Sequence, residues 1–362
     1  MAKNNLFDFP KDFKSVDYSP SAKKRYYFIT GDYHKLIFSS QKISRDFILK
    51  TIKHYPGSKW GLLRFLIRSG LYKNVKSSKM GFVYFDYDPK MNFPGEAMLI
   101  DQRRKVFDLK NKKVYYFLYK NQKDQISHEK ELRKKYKEIN FPAIIFKKDV
   151  FITDFLDLKF FSKAEALPNQ VLEKAIHQLC YFYKKNKIQK STFSKEIIKI
   201  KKDNKDFSLL DKEDAKVLNH AMQVIQSEKQ VMLTKVHGDF HLSHIGMQED
   251  KVYILDWELA RIENILFDLF WFFINDFRLN KTEFIKKASK KKLLYYPDFR
   301  RTLERFEREL KLDFDEKELF TYLVLTMLRL IERAYKERKL DNVKNQIKLL
   351  NILLKWQKLK KY

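Results

Sequence analysis

Two acidic residues, Asp239 and Asp256, stand seventeen positions apart, each beside a short apolar run. The first lies in Val236–Ile245, VHGDFHLSHI, and the second in Val252–Glu258, VYILDWE. Both runs interrupt a region whose apolar spacing is otherwise helical. Two carboxylates held at the edges of short strands can converge on one point. Such a pair suits phosphoryl transfer: one carboxylate receives or orients an acceptor hydroxyl, and the other holds the Mg²⁺ that bridges nucleotide phosphates. Three histidines, His237, His241 and His244, fall within eight positions. Zinc is the competing chemistry, but no cysteine lies nearby and the acid pair accounts better for the spacing.

His-Gly-Asp, a metal ligand a few positions on, and then an apolar strand ending Asp-Trp-Glu resemble the aminoglycoside phosphotransferase and choline kinase-like family. The resemblance covers roughly residues 95–273. It implies a bilobal, protein-kinase-like fold with ATP in the cleft between lobes. It makes Asp239 the catalytic aspartate, accepting or positioning the proton of the attacking hydroxyl. His237 would brace the loop by packing and hydrogen bonds, and Asp256 would bind Mg²⁺. Asp268, in FDLFWFF, would tie the following helix to the catalytic loop. One position departs from the pattern. The family's second metal ligand is usually Asn, five positions after the catalytic Asp, and here that position is His244. Imidazole is a poorer partner for Mg²⁺ than an amide oxygen, because hard cations favour oxygen. His244 would then hold Mn²⁺, or touch a metal-bound water or a phosphate, or mark weakened catalysis. Both acids remain, which favours an active enzyme.

On the nucleotide side the resemblance implies a basic residue on the third strand, paired with an acid on the next helix. Glu129 is the acid, in HEKELRKKY, with Glu131 its rival on another helix face. Lys120, at the end of VYYFLYK, is the base, with Lys113 at the start of that strand as the alternative. The hinge falls near Thr153–Leu156, where backbone groups of Thr153, Asp154 and Phe155 would meet the adenine edge. ATP with Mg²⁺ is the expected pair of cofactors. No glycine-rich phosphate loop precedes the strand; Gly95 stands alone.

The elements that must position these residues are readable from their periods. Gly81–Tyr87, Ala97–Asp101, Lys105–Leu109 and Val114–Lys120 read as strands, the last two joined by a hairpin turn at residues 110–113. A charged helix at Gln125–Glu138 and two further strands, Ala143–Phe146 and Val150–Asp154, follow. Beyond about Leu156 the chain reads as mostly helical, with helices over Pro168–Lys185, Lys212–Glu228 and Asn342–Lys361. The expected class is α+β: a small antiparallel-sheet N-lobe carrying one helix, and a larger, mostly helical C-lobe. The expected domains are a basic, partly helical N-terminal extension at 1–80, an N-lobe at 81–156, and a C-lobe at 157–362 with the catalytic loop at 236–258. His177, Cys180 and the aromatic cluster Phe267–Phe273 read as core or boundary residues.

The whole chain has 362 residues, 44% of them hydrophobic, with 32 Phe. That is enough apolar material for a sizeable core, so wholesale disorder is excluded. One cysteine excludes a disulfide framework and a multi-cysteine zinc site. The formal charge is +29, and a field of that size draws anions. No nucleic-acid-binding motif accompanies it, so nucleic acid is not expected as a partner. The charge tilts the acceptor toward a neutral or anionic small molecule or glycan, because a polycationic drug needs a carboxylate-rich pocket. No apolar run reaches the ~20 residues of a spanning helix. A cytoplasmic protein is expected, with peripheral contact on an anionic membrane face open to it. Two alternatives stand beside the enzyme: a kinase-like scaffold with weakened catalysis, and a polyanion- or membrane-binding protein.

Overall fold

In the computed structural model the described residues are 25–30, 35–39, 42–52, 58–69, 82–86, 97–100, 104–117, 123–147, 150–156, 158–161, 167–204, 207, 210–275, 285 and 297–358. They fall into two compact units. One takes in residues 1–130 and 142–157, the other 131–141 and 158–362.

The first unit is built on one eight-stranded antiparallel sheet. Strands β1 (Arg25–Thr30) and β2 (Lys35–Ser39) precede helices α1 (Lys42–Ile52) and α2 (Ser58–Ser69). Then come β3 (Phe82–Asp86), β4 (Ala97–Ile100), β5 (Arg104–Asp108), β6 (Lys113–Phe117), helix α3 (Lys123–Lys135), of which residues 131–135 belong to the second unit, β7 (Ile144–Lys147) and β8 (Val150–Asp154). The order across the sheet is β3-β1-β2-β4-β5-β6-β8-β7. Strands β5 and β6 form the hairpin expected from their spacing, with Asp108 opposite Lys113. Asp108 holds the turn by accepting from the Asn111 backbone and side chain at 3.0 and 2.8 Å, while Lys112 takes the left-handed conformation (φ 51°). Two of these strands, β1 and β2, come from the stretch that precedes residue 81. Their aromatic, only weakly alternating sequences (RYYFIT, KLIFS) carry too little pattern to mark them as strands.

The second unit is mostly helical and holds two small sheets. It runs β9 (Lys159–Phe160), α4 (Asn169–Lys185), β10 (Gln189–Thr192), α5 (Phe193–Asn204), α6 (Lys212–Ile225), β11 (Gln230–Val236), β12 (Ile245–Gln248), β13 (Lys251–Ile254) and β14 (Arg261–Asn264). It ends with α7 (Phe267–Asn275), α8 (Pro297–Leu310), α9 (Glu316–Lys336) and α10 (Leu340–Lys358). The sheets have the orders β10-β11-β14 and β13-β12-β9. The α+β class is therefore present, with antiparallel sheets throughout.

Helix α9 is the axis of this unit. A capping box starts it: Asp315 accepts from the Glu318 N–H, and Glu318 accepts from the Asp315 N–H. Nearly every residue from Leu319 to Ala334 is buried. The one buried guanidinium on it, Arg329, meets three carboxylates: Glu196 of α5, Glu263 of β14 and Glu332 one turn on. Helix α10 puts Val343, Ile347, Leu350 and Leu354 inside the core, at 2% exposure or less. Its apolar face is thus covered by protein. Among the described residues no helix is long and apolar enough to cross a membrane.

Candidate active site

The loop from Val236 to Leu259 links the two small sheets. Strand β11 delivers His237, Gly238 and Asp239 at its end; the hairpin β12–β13 returns the chain to Asp256. A single 3₁₀ turn, Leu242–His244, lies between them.

His237 is fully buried and bonded at both ring nitrogens. Nδ1 accepts from the Asp239 N–H at 3.2 Å, and Nε2 donates to the Leu255 carbonyl at 2.8 Å. That pair of bonds defines the neutral Nε2–H tautomer. Burial, followed by the neighbouring His244, pushes its pKa down to about 3, so the ring is neutral at ordinary pH. The Trp257 indole covers it edge-on, with centroids 4.6 Å apart.

Gly238 turns the loop in the left-handed region at φ 83°. A Cβ there would stand 2.4 Å from the Leu259 carbonyl oxygen, so only glycine fits. Asp268, at the start of α7, is fully buried. It accepts from the His237 N–H at 2.6 Å, the Gly238 N–H at 2.8 Å and the Tyr183 hydroxyl at 2.7 Å. The role expected of Asp268, tying helix to loop, is what these bonds do. Burial raises its carboxyl to about 6 in spite of those donors.

Asp239 points its Oδ1 at the Trp271 indole N–H, 3.2 Å away. Its Oδ2 lies 3.7 Å from His241 Nε2 and 3.9 Å from His244 Nδ1. Burial acts to raise this carboxyl, but His241, His244 and Arg333 outweigh it and hold it well below the usual carboxylate range. Asp239 is therefore ionised throughout the working pH range.

His244 stands between the two acids. Its Nδ1 donates to the Asp239 carbonyl at 2.8 Å, and its Nε2 lies 3.4 Å from Asp256 Oδ2. Burial, then His241, depress its basicity, although Asp256 and Asp239 oppose this. The His241 ring lies alongside, with centroids 3.8 Å apart. Asp256 itself is in the left-handed region (φ 65°), a conformation that Asp tolerates better than most residues. The donor set fits a divalent cation: one ligand atom each from Asp239, His241 and His244 falls within 4.8 Å of the others, with Asp256 across from His244.

Two members of this site have no local signature in the sequence. Trp271 belongs to an aromatic run whose other members, Phe267, Phe270, Phe272 and Phe273, are fully buried core. Its ring is only partly buried, packed against that core, and its N–H serves Asp239. Arg333 reaches from α9 to donate to the Gly238 carbonyl at 3.2 Å. A separate correction concerns His177, expected at the core or its boundary. It is exposed and bonds to Glu309 at 2.8 Å, while Cys180 beside it is fully buried with its thiol pushed up by burial.

The residues expected to meet the nucleotide belong to the first unit. Lys120 lies outside the described residues; Glu129 lies on α3. The rival base Lys113 is ion-paired with Asp154, opposite it in the sheet. Thr153 is buried between β6 and β7. The Asp154 N–H donates to the Ala143 carbonyl at 3.1 Å and the Phe155 N–H to the Lys112 carbonyl at 2.8 Å. The Phe155 ring packs against Phe47 and Phe107.

Residues 185–305 match the model of the phosphotransferase enzyme family. No curated protein sequence matches the chain. Solved structures similar to it include the GDP complex of aminoglycoside 2′-phosphotransferase-IIIa, at 14% identity over 71% of this chain and 88% of that one, with a TM-score of 0.46. Choline kinase LicA from Streptococcus pneumoniae is 13% identical over 70% of this chain and 90% of its own, with a TM-score of 0.48. A choline kinase from Cryptosporidium parvum Iowa II is 10% identical over 72% and 86%, with a TM-score of 0.47. Over residues 185–305, the stretch that contains both loop acids, the chain resembles the phosphotransferase enzyme family.

Proposed function

We propose that the chain is an ATP-dependent phosphotransferase that phosphorylates a hydroxyl of a small molecule or glycan. The observation that carries this reading is the convergence of Asp239 and Asp256 on the two sides of one imidazole, His244. An ionised Asp239, fixed by the Trp271 N–H, is placed to accept or orient the proton of an attacking hydroxyl. Asp256 and His244 would hold the divalent cation, which when bound would neutralise charge on the nucleotide phosphates. Lys120 and Glu129 would steady those phosphates, as the resemblance implies. The chain's own contribution is positioning: His237, Asp268 and Gly238 fix the backbone that carries Asp239, so little reorganisation is needed during transfer. The net charge of +29 favours a neutral or anionic acceptor over a polycationic one.

The test is transfer of labelled phosphate from ATP to a panel of sugars, alcohols and phosphorylated metabolites, by the full chain and by Asp239→Asn. Turnover lost by about 10²–10⁴-fold in the variant, with its fold intact, supports the assignment. Equal turnover in both proteins refutes it. A second reading, a nucleotide-binding scaffold without transfer, is favoured by His244 at the position where the resembled family carries Asn. Nucleotide binding without turnover under any divalent cation would select it.

A further inference from the structure

Lysines crowd one stretch of the second unit. Eight fall between residues 184 and 202, against a single acid, Glu196. That acid is turned inward, where it is buried and paired with Arg329. Helix α5 sorts its other residues by its period. Phe193, Glu196, Ile197 and Ile200 face the core, none more than 7% exposed. Lys195, Ile198, Lys199 and Lys202 follow the spacing i, i+3, i+4, i+7 and share the opposite face, all four exposed. The next acid along, Asp203, is taken by Lys336 of α9. None of these three lysines has an ion-pair partner among the described residues. Ile198, in their midst, is 63% exposed.

We propose that this outward face of α5 docks the chain on an anionic membrane surface. There the lysines would meet lipid phosphates and Ile198 would enter the acyl boundary, which is how a basic face with an apolar centre binds a bilayer. The net charge of +29 draws anions without choosing a face. The α5 face is singled out because its cations are uncompensated and surround an apolar group. Helix α10 makes the contrast. Lys344, Lys348 and Lys355 also form an exposed row, but the charges of Lys344 and Lys348 bear on Asp214 of α6, and no exposed large apolar side chain lies between them. A nucleic acid is matched less well, since the α5 face offers neither arginine nor aromatic ring for base contact or stacking.

The test is co-sedimentation of the full chain with vesicles of phosphatidylcholine, alone or with about one-third phosphatidylglycerol, at physiological ionic strength. Binding is expected only with the anionic lipid. Each lysine near such a surface is worth about fivefold in affinity, so Lys195→Gln, Lys199→Gln and Lys202→Gln combined should lower partitioning by about 10²-fold. Lys344→Gln, Lys348→Gln and Lys355→Gln combined remove the same charge and should cost only a few-fold. Ile198→Ser should cost about fivefold with no change of charge. All these positions are exposed, and an unchanged thermal midpoint checks that each variant folds. Cys180 is the chain's only cysteine and is buried, so an environment-sensitive fluorophore on Ile198→Cys reports that position alone. Its emission should shift to the blue on anionic vesicles. Equal binding to neutral lipid, no binding to anionic lipid, an equal loss from the α10 variant, or an unshifted fluorophore would each overturn the proposal. Tighter binding to duplex DNA than to vesicles, indifferent to Ile198→Ser, would overturn it in favour of nucleic acid. No readout involves ATP, so the outcome is independent of the phosphotransferase reading.

Discussion

Arg333 donates from Nη1 to the carbonyl oxygen of Gly238 at 3.2 Å, across 95 residues of chain. The N–H of the same peptide unit, that of Asp239, donates to His237 Nδ1. The peptide that carries the proposed catalytic carboxylate is thus held at both ends. Arg333 is itself oriented by Glu337 one turn on, at 3.1 Å from its Nε. Its charge is also one of those holding the Asp239 carboxyl low.

Arg333→Met should therefore lower kcat by about tenfold or more while changing KM for nucleotide little, because the loop loosens without losing a ligand. Arg333→Lys should recover part of the loss in kcat. A kcat equal to that of the wild type, or a KM for nucleotide that rises as kcat falls, would show that the arginine does not act through the loop.

Gly238→Ala tests the turn. A methyl group would meet the Leu259 carbonyl oxygen at 2.4 Å, in a left-handed conformation that alanine resists. Strain of about 1–3 kcal/mol is expected, or a displaced loop. Urea unfolding should report the first, and loss of turnover with little change in stability should report the second. A variant unchanged in both measurements would contradict the geometry.

The pH dependence of stability follows from two buried groups with opposite signs. His237 is pushed down to about 3 by burial, then by His244, against ~6.5 in an unfolded chain. The unfolded state takes up a proton that the native state refuses. Stability from His237 is thus present above about pH 6.5 and lost as pH falls toward 3. Asp268 is raised to about 6 by burial, against ~3.9 unfolded. Its native form holds a proton that the unfolded form releases, so stability from it is lost as pH rises from about 4 to about 6. The two slopes cancel where they overlap. In Asp268→Asn only the His237 slope remains, so acidification from pH 6 to 4 should cost this variant about 1.4 kcal/mol per pH unit more than it costs the wild type. Denaturant unfolding of both proteins across that window measures the difference, and parallel curves would refute the assignment.

Arg329 is buried among Glu196, Glu263 and Glu332. Arg329→Met leaves three carboxylates close together without their cation, a change expected to destabilise the fold by about 3–5 kcal/mol. The thermal midpoint should fall accordingly at neutral pH and recover partly in acid, as the carboxylates protonate. A midpoint independent of pH would mean that the loss is one of packing.

What could be read in the chain itself was whatever is written locally. The apolar period of two marked β5, β6 and β8, and the period of 3.6 marked α4, α6 and α10, because side-chain direction repeats with the backbone. The acids at 239 and 256 stood out because HGD and LDWE are short, contiguous patterns. Strands β1 and β2 escaped because their sheet neighbours, not their own alternation, make them strands. The surroundings of the acids were beyond any local reading. Trp271 looks like its phenylalanine neighbours until its N–H is found on Asp239, and Arg333 is one of many basic residues until α9 lays it against Gly238. Which nitrogen of His244 faces Asp256 depends on a hydrogen bond to the Asp239 backbone carbonyl. Contacts of this kind join positions whose separation along the chain is arbitrary, so only the folded backbone selects them.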